Sequence, residues 1–423
     1  MDYSVNKPNS WLREIQFHIP VEEVQQKVNE KISAIRKNVS IPGFRKGKAP
    51  ADVIRLRFGK AILEEVLEDA LNDAYWEVVK KENLLTVSSP EAKEQNWDET
   101  EGLSGVIEVQ VEPEIELEKY TGLKLTKEIH EVTDEEIEET IQRLREENAA
   151  IQAVEDGAQE GDYVKAEIQE VSESGVPIVG QREEKEIRLG DKAYGEEFDK
   201  GLLGVKKDEE RRVSGVLSAQ PDLKRHYSVR VKDVVRHILP DVTDDFAKDL
   251  GDYESLEDLR NKIRRYLELE YERRANEALL DGLVNALINE NPFEVPPAMV
   301  DTYLDAYVED VKKQLKSDFD VDAFKEAQKP VAIREIKWYL IKKKIAELEN
   351  IQVTDEEIDQ YIENLAKSTG QSERKLKAKY SLKDRRNRLV NDLRDKKIID
   401  FLLEKSEIEE VELQASESDI VDG

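Results

Sequence analysis

The chain is 423 residues long with a formal charge of −30; charged residues make up 38%, hydrophobic residues 39% and aromatic residues 6%. About two to four domains are expected at this length, with much solvated helical surface and no single massive core. The lack of cysteine excludes disulfides and thiolate metal sites, the acidic balance argues against general nucleic-acid binding, and no apolar run is long enough to span a membrane.

The opening Met1-Asp2-Tyr3-Ser4 lacks the basic start and apolar core of a signal peptide, so a soluble cytoplasmic protein is expected. Residues 11–19 read as a strand, with Ile15, Phe17 and Ile19 alternating against Glu14, Gln16 and His18. Pro20 opens a helix on which Val21, Val24, Val28, Ile32, Ile35 and Val39 keep three-to-four spacing. That helix leads into Ile41-Pro42-Gly43-Phe44-Arg45-Lys46-Gly47-Lys48-Ala49-Pro50. Paired glycines and prolines there break regular structure and set up a tight, projecting turn. Residues 31–60 hold nine Lys/Arg against one acid, Asp52, a local charge of +8 on an acidic chain. A basic tip with an apolar plug suits docking on something anionic; the alternative is an ordinary helix–loop–helix connection with solvated charges. Gly43-x-x-x-Gly47-Lys48 is one residue short of a phosphate-cradling spacing and follows a helix rather than a strand, which excludes nucleotide binding there. Pro50 starts the next helix, continued from Ala61 to Lys81 by Ile62, Val66, Leu67, Ala70, Leu71, Ala74 and Val78. Strands around Leu84–Val87 and Leu103–Val111 complete an α+β module ending near Glu112.

The run from Gly43 to Pro50 matches the Gly-Phe-Arg-x-Gly-x-x-Pro signature of the trigger factor family, ribosome-associated bacterial chaperones. The resemblance extends along nearly all 423 residues. It implies a multidomain α+β protein: an N-terminal α+β ribosome-binding module at 1–112, an FKBP-like β-rich domain and an all-α C-terminal arm domain. Gly43, Phe44, Arg45, Lys46 and Gly47 would dock on a ribosomal protein and rRNA beside the polypeptide tunnel exit. The implied partners are the ribosome and nascent or unfolded polypeptides; the resemblance leaves open a homodimer off the ribosome and implies no cofactor, metal or membrane partner.

Residues 113–150 read as a connector, weakly alternating to Lys127, then a short acidic helix with Thr133 and Glu136 placed as a capping box. A near copy of that start signal returns at Val353–Ile358 and reads as a recurrent cap rather than a repeat. Glycine-punctuated alternating runs across 151–240 give a small β-rich domain, the position of the family's FKBP-like prolyl isomerase. Isomerisation needs an apolar, aromatic-lined pocket to twist and desolvate an amide whose barrier is roughly 18–20 kcal/mol. Where active domains of the family carry an apolar residue, Ile, Pro, Gly and Phe, this chain has Gly195-Glu196-Glu197-Phe198. Phe198 is then the catalytic candidate, Glu196 and Glu197 occupy the pocket floor, and turnover is expected to be weak or absent; a shifted alignment would put Tyr194 or Leu202 on the floor instead.

From 241 the chain reads as helical. Ser255 with Asp258 caps a helix that Asn291-Pro292 stops, and Pro296-Pro297 starts the next, striped by Val300, Leu304, Tyr307, Val308, Val311 and Leu315. Helices at Pro330–Leu348, Thr354–Ala366 (stopped by Gly370) and Lys383–Lys405 follow, and the acidic stretch 406–423 is expected to fray. Val300, Leu304, Tyr307, Val311, Ile336 and Leu340 are the client-binding candidates, with simple core packing as the alternative. The leading function is an ATP-independent ribosome-associated chaperone; an active prolyl isomerase and a helical adaptor for a non-ribosomal partner are the rivals. The scattered histidines 18, 130, 226 and 237 form no metal-ligand spacing.

Overall fold

The computed structural model describes residues 1–412 apart from 43, 46, 175, 179–181, 218, 219 and 315–318, with the backbone alone at 217 and 220–223. In chain order the elements are β1 (Asp2–Asn6), β2 (Leu12–Ile19), α1 (Val21–Asn38), α2 (Ala51–Lys81), β3 (Glu91–Asp98), β4 (Gly102–Gln110) and β5 (Lys124–Ile129). Next come α3 (Asp134–Glu147), β6 (Ala150–Ala153), β7 (Tyr163–Val171), β8 (Glu183–Arg188), α4 (Glu196–Leu202), β9 (Glu210–Leu217) and β10 (Gln220–Ile238). The remainder is α5 (Asp244–Leu250), α6 (Leu256–Glu290), α7 (Pro297–Gln314), α8 (Val321–Leu348), α9 (Asp355–Thr369), α10 (Glu373–Tyr380), α11 (Lys383–Glu404) and β11 (Glu407–Glu412). These divide into two compact units, residues 1–127 with 277–410 and residues 128–276 with 411–423.

In the first unit an antiparallel sheet of order β1-β2-β4-β3 lies against α1 and α2. Alternation on β2 turns Ile15, Phe17 and Ile19 inward, in register with Ile107, Gly105 and Leu103. Val24 and Ile32 of α1 and Ile54, Ile62, Val66, Ala70, Tyr75 and Val78 of α2 close over that face. The strand expected at Leu84–Val87 is instead an isolated Thr86–Val111 bridge, and the second partner of β4, beside β2, is the almost wholly exposed β3. Glu-Ala-Lys-Glu-Gln-Asn-Trp-Asp carries no apolar alternation, so pairing with β4, not burial, makes β3 a strand.

A second core in this unit gathers Leu279, Leu283 and Leu287 of α6, Val300 and Leu304 of α7, Ile336, Leu340, Ile341 and Ile345 of α8, and Ile398 and Leu402 of α11. Ile115, Leu123 and Leu125 from the extended segment after β4 join it. Buried Asn291, just past α6, fixes that segment: its Oδ1 accepts from the Glu118 and Lys119 N–H groups at 2.7 and 3.2 Å, and its Nδ2 donates to Lys119 O and Leu287 O at 2.9 and 2.8 Å. Every polar atom of that amide is used, as burial demands. Helix α8 starts well before the expected Pro330, which lies inside it. Asp320 caps it by accepting from Asp322 and Ala323 N–H at 3.1 and 3.0 Å, and its buried stripe carries it through the one backbone bond a proline removes. Residues 407–412 form a strand rather than fraying, with Glu407 N–H donating to Leu123 O at 2.8 Å; 413–423 and Leu315 lie outside the described residues. Helices α9, α10 and α11 share a small core of Ile358, Ile362, Leu376 and Leu389, and Gly370 ends α9 in the left-handed region. Helix α10, too short and polar to show a stripe, was not legible.

The second unit holds a five-stranded sheet of order β6-β10-β7-β8 with β9 on β10, so the β-rich reading of this stretch stands. Its core is Val164, Ala166, Ile187, Leu189, Phe198, Leu202, Val229 and Val231. Beside it, Ile137 and Ile141 of α3 pack with Phe246 of α5 and Leu259 and Ile263 of α6. Both expected capping boxes form, at Thr133/Glu136 and Thr354/Glu357. Burial raises the Glu136 pKa, but hydrogen bonds from Thr133, Tyr271 and His130 outweigh it and hold the carboxyl below its ordinary value. Among the described residues no helix is long and apolar enough to cross a membrane.

Candidate functional site

Between α1 and α2 the chain makes two tight turns, Phe44 N–H to Ile41 O at 3.0 Å and Lys48 N–H to Arg45 O at 2.9 Å. Buried Ile41 and Ala49 root the loop in the first core, and Gly47 supplies a φ of 80° that other residues resist. The Phe44 side chain is left 41% exposed, an apolar ring in water with Arg45 and Lys48 exposed around it. Gly43 and Lys46 lie outside the described residues.

Only part of the basic window is paired with carboxylates. Lys31 pairs with Glu65 at 2.7 Å and Asp69 at 3.2 Å, bonds that raise its pKa, and Lys60 sits 3.9 Å from Glu64. Arg55 donates to Asn29 Oδ1 at 2.6 Å, and Arg57 lies 6.0 Å over the Phe58 ring. Arg36, Lys37, Arg45 and Lys48 have no carboxylate within 4.0 Å among the described residues. Arg55 and Arg57 likewise have no carboxylate within 4.0 Å among the described residues, so most of the window's positive charge, the tip included, is left for an external anion.

The aromatic site of the β-rich domain differs from its expectation. Glu196 and Glu197 are exposed and occupy no floor: Glu196 pairs with Lys200 at 2.7 Å and Glu197 with Lys224 at 2.6 Å. They begin α4, whose inward face is Phe198, Asp199 and Leu202, so helical geometry sends the two carboxylates outward. Each pairing lysine pulls its carboxylate pKa below the ordinary value. Phe198 is 0% exposed, stacked under Tyr194 with ring centroids 4.7 Å apart and edge-on to Tyr227 at 5.6 Å. Gly215 makes this fit possible: a Cβ there would lie 2.3 Å from Tyr194 O and 3.1 Å from Phe198 Cβ. Asp199 secures the adjoining turn, its Oδ2 accepting from Gly190 and Lys192 N–H at 2.9 and 3.0 Å.

Of the client candidates, Val300, Leu304, Ile336 and Leu340 are buried in the helical core and present nothing to a client; their period of three to four marked packing. Val311 is half-buried and Tyr307 is exposed, its ring 5.4 Å from that of Phe324. The exposed apolar side chains on these helices are Tyr303, Tyr307, Val331, Tyr339 and Leu348. Tyr303, Tyr339 and Leu348 lie within the stretches 300–315 and 333–348 expected to face a client, but nothing singles them out there, because an exposed residue off the stripe resembles an ordinary surface residue; Val331 lies outside both stretches.

Residues 1–144 match the family model described as bacterial trigger factor protein, and residues 255–404 match the model of its C-terminus. The trigger factor of Geotalea daltonii is 30% identical, over 97% of this chain and 99% of its own. That of Koribacter versatilis is 32% identical, over 94% and 95%. A solved structure reported under the heading "Promiscuous Substrate Recognition in Folding and Assembly Activities of the Trigger Factor Chaperone" aligns with a TM-score of 0.52 at 23% identity, over 96% of this chain and 100% of that one. At that identity the structural likeness speaks for the fold.

Proposed function

The chain belongs to the bacterial trigger factor family, and from that premise we propose an ATP-independent chaperone that docks beside the ribosomal tunnel exit and holds nascent polypeptides in the cytoplasm. The observation that carries this reading is the tip: an exposed Phe44 next to Arg45 and near Lys48, neither of which has a carboxylate within 4.0 Å among the described residues, on a chain of charge −30. An acidic protein is repelled by rRNA everywhere except where local charge is positive and unneutralised. Gly47 shapes the turn, Phe44 supplies an apolar anchor, and Arg45 and Lys46 are assigned the phosphate contacts, with Gly43 part of the same site by its place in the signature. Co-sedimentation with 70S particles tests it. Replacing Phe44, Arg45 and Lys46 together by Ala should abolish binding with the helical circular dichroism unchanged, and wild-type binding should weaken as salt rises. Unaltered co-sedimentation of the triple variant overturns the reading.

The domain limits proposed are 1–112 for docking, 113–150 as connector, 151–240 as the FKBP-like domain and 241–423 as the helical chaperone domain. Client contact is assigned to the exposed tyrosines and aliphatics of α7 and α8 rather than to their buried stripes. Residues 150 and 238 pair across β6 and β10, so the β-rich domain can be removed and the chain rejoined there. Suppression of aggregation should survive that deletion.

A further inference from the structure

In the first unit, apart from the docking tip, a cleft of about 510 Å³ opens beside the start of β2. Its apolar lining includes Val5, Leu84, Val111 and Leu340, and Leu85 stands at its lip, 58% exposed. Arg13 lines it too, and Arg13 is anomalous. It sits on the inward face of β2, only 3% exposed. Its Nη1 donates to Asn9 O at 3.1 Å and Leu12 O at 2.9 Å, while its Nε is buried without a hydrogen-bond partner. Among the described residues no carboxylate lies within 4.0 Å of it. Burial pushes its pKa below the ordinary arginine value, and the more distant Glu114 offsets this only in part.

A guanidinium taken out of water without a counter-charge is costly; carbonyl acceptors such as Asn9 O and Leu12 O offset part of the cost, and an anion on the remaining N–H groups would offset more. The other charged groups of the cleft are largely committed. Glu82 accepts from Tyr3 Oη at 2.8 Å, Glu112 pairs with Lys343 at 2.6 Å and Glu347 lies 3.9 Å from Lys344, while Lys7, Glu114 and Glu116 also line the cleft but are exposed to water. Arg13 is therefore the charge in this cleft that is both buried and unanswered. A carboxylate suits the planar fork of arginine better than any other protein group. Val5, Leu84, Leu85 and Leu340 in the same lining offer hydrocarbon contact beside it. On a chain of charge −30, acidic stretches of an unfolded polypeptide have few places to rest.

We propose that the Arg13 cleft is a client subsite that takes one Asp or Glu side chain of an extended segment, flanked by aliphatic residues. This rests on the reading that the chain holds unfolded polypeptides. The test uses the full chain and a fluorescent eight-residue peptide, capped at both ends, with a central Asp between leucines and valines, against its Asn twin. Anisotropy should show the Asp peptide binding about 10-fold more tightly, a difference of roughly 1.4 kcal/mol. Arg13→Met should erase that preference without lowering Tm, because it removes an unpaired buried charge. Leu85→Asp, a surface change that leaves folding alone, should weaken the Asp peptide by placing a like charge at the lip. Glu114→Gln should strengthen it by removing a competing carboxylate. Equal affinity for the two peptides overturns the proposal, as does an Asp preference that survives both Arg13→Met and Leu85→Asp. A marked loss of Tm in Glu114→Gln also overturns it, by showing that Glu114 is the partner of Arg13. If the wild-type chain still suppresses aggregation of a denatured client while the peptides bind alike, the subsite alone fails; if suppression is absent, the chaperone reading fails with it.

Discussion

Phe44 and Phe198 stand in similar sequence surroundings, each within three residues of a glycine on both sides and flanked by charge, yet they end in opposite environments. Phe44 follows a helix that has run out of core to cover, and the two turns around it carry its ring into solvent. Phe198 lies on the inward face of α4, where Gly215 lets the opposing strand approach and Tyr194 closes over the ring. Their flanking charges divide the same way. Arg45 and Lys48 find no carboxylate among the described residues, whereas Glu196 and Glu197 each hold a lysine. An aromatic residue next to charges is thus ambiguous until its backing is known. What separates a docking residue from a core residue here is whether a neighbouring element supplies a surface to bury it.

The largest effect that tests this contrast is on stability. Phe198→Ala should cost about 3–5 kcal/mol, the range for emptying a packed aromatic site, and should unfold the β-rich domain first in a urea titration. Phe44→Ala should leave the urea midpoint where it is and lower ribosome affinity at least about 30-fold, the loss expected of an interface hot spot. A stable Phe198→Ala protein, or an unstable Phe44→Ala one, would show that the two rings are not partitioned as described.

Next in size is a charge that is buried and answered, the counterpart of the open cations at the tip. Asp162 is almost fully buried and takes both arms of Arg236, at 2.6 and 2.7 Å. The Arg236 hydrogen bonds, more than the backbone N–H of Gln159, hold its pKa below the ordinary aspartate value against the opposing pull of burial. A depressed carboxyl stabilises the fold above its unfolded pKa, near 4, and that contribution disappears as pH falls through the folded value. Arg236→Gln should therefore lower Tm by roughly 5–10 °C at pH 7, and the gap to wild type should narrow below about pH 4. A gap that stays constant to pH 3 would place the stabilisation elsewhere.

The sequence revealed elements wherever local chemistry and burial agreed. Strand β2, helices α1 and α2, both capping boxes and the stop at Gly370 follow from alternation, spacing and caps that the structure uses directly. Strand β3 and helix α10 carry no apolar period, and Pro330 marks a helix start by rule while Asp320 and the buried stripe override it. At the sites, the tip was legible because its charge imbalance is local. The role of Val300, Leu304, Ile336 and Leu340 was not, since an amphipathic stripe reads the same whether a client or a neighbouring helix covers it. Arg13 gave no signal at all: a single arginine in an alternating strand looks like an edge residue until the cleft around it is seen.

The smallest expected effect concerns the two carboxylates once assigned to the pocket floor. Because Glu196 and Glu197 point to solvent and pair with Lys200 and Lys224, replacing both with apolar residues should leave isomerase turnover on a short proline peptide unchanged. The expected obstacle is Tyr194, whose ring stacks on that of Phe198 at 4.7 Å and covers it. Wild-type turnover should be low for that reason, with Phe198 fully covered and no aromatic floor offered to a substrate. Tyr194→Ala should uncover Phe198 and the edge of Tyr227 and raise turnover severalfold, while Tyr194→Phe should not, because it keeps the ring. A protease-coupled assay on the four proteins separates the cases. A rise in the double glutamate variant with none in Tyr194→Ala would return the block to the carboxylates. A rise in Tyr194→Ala alone would show that the domain keeps an aromatic site and fills it with its own side chain.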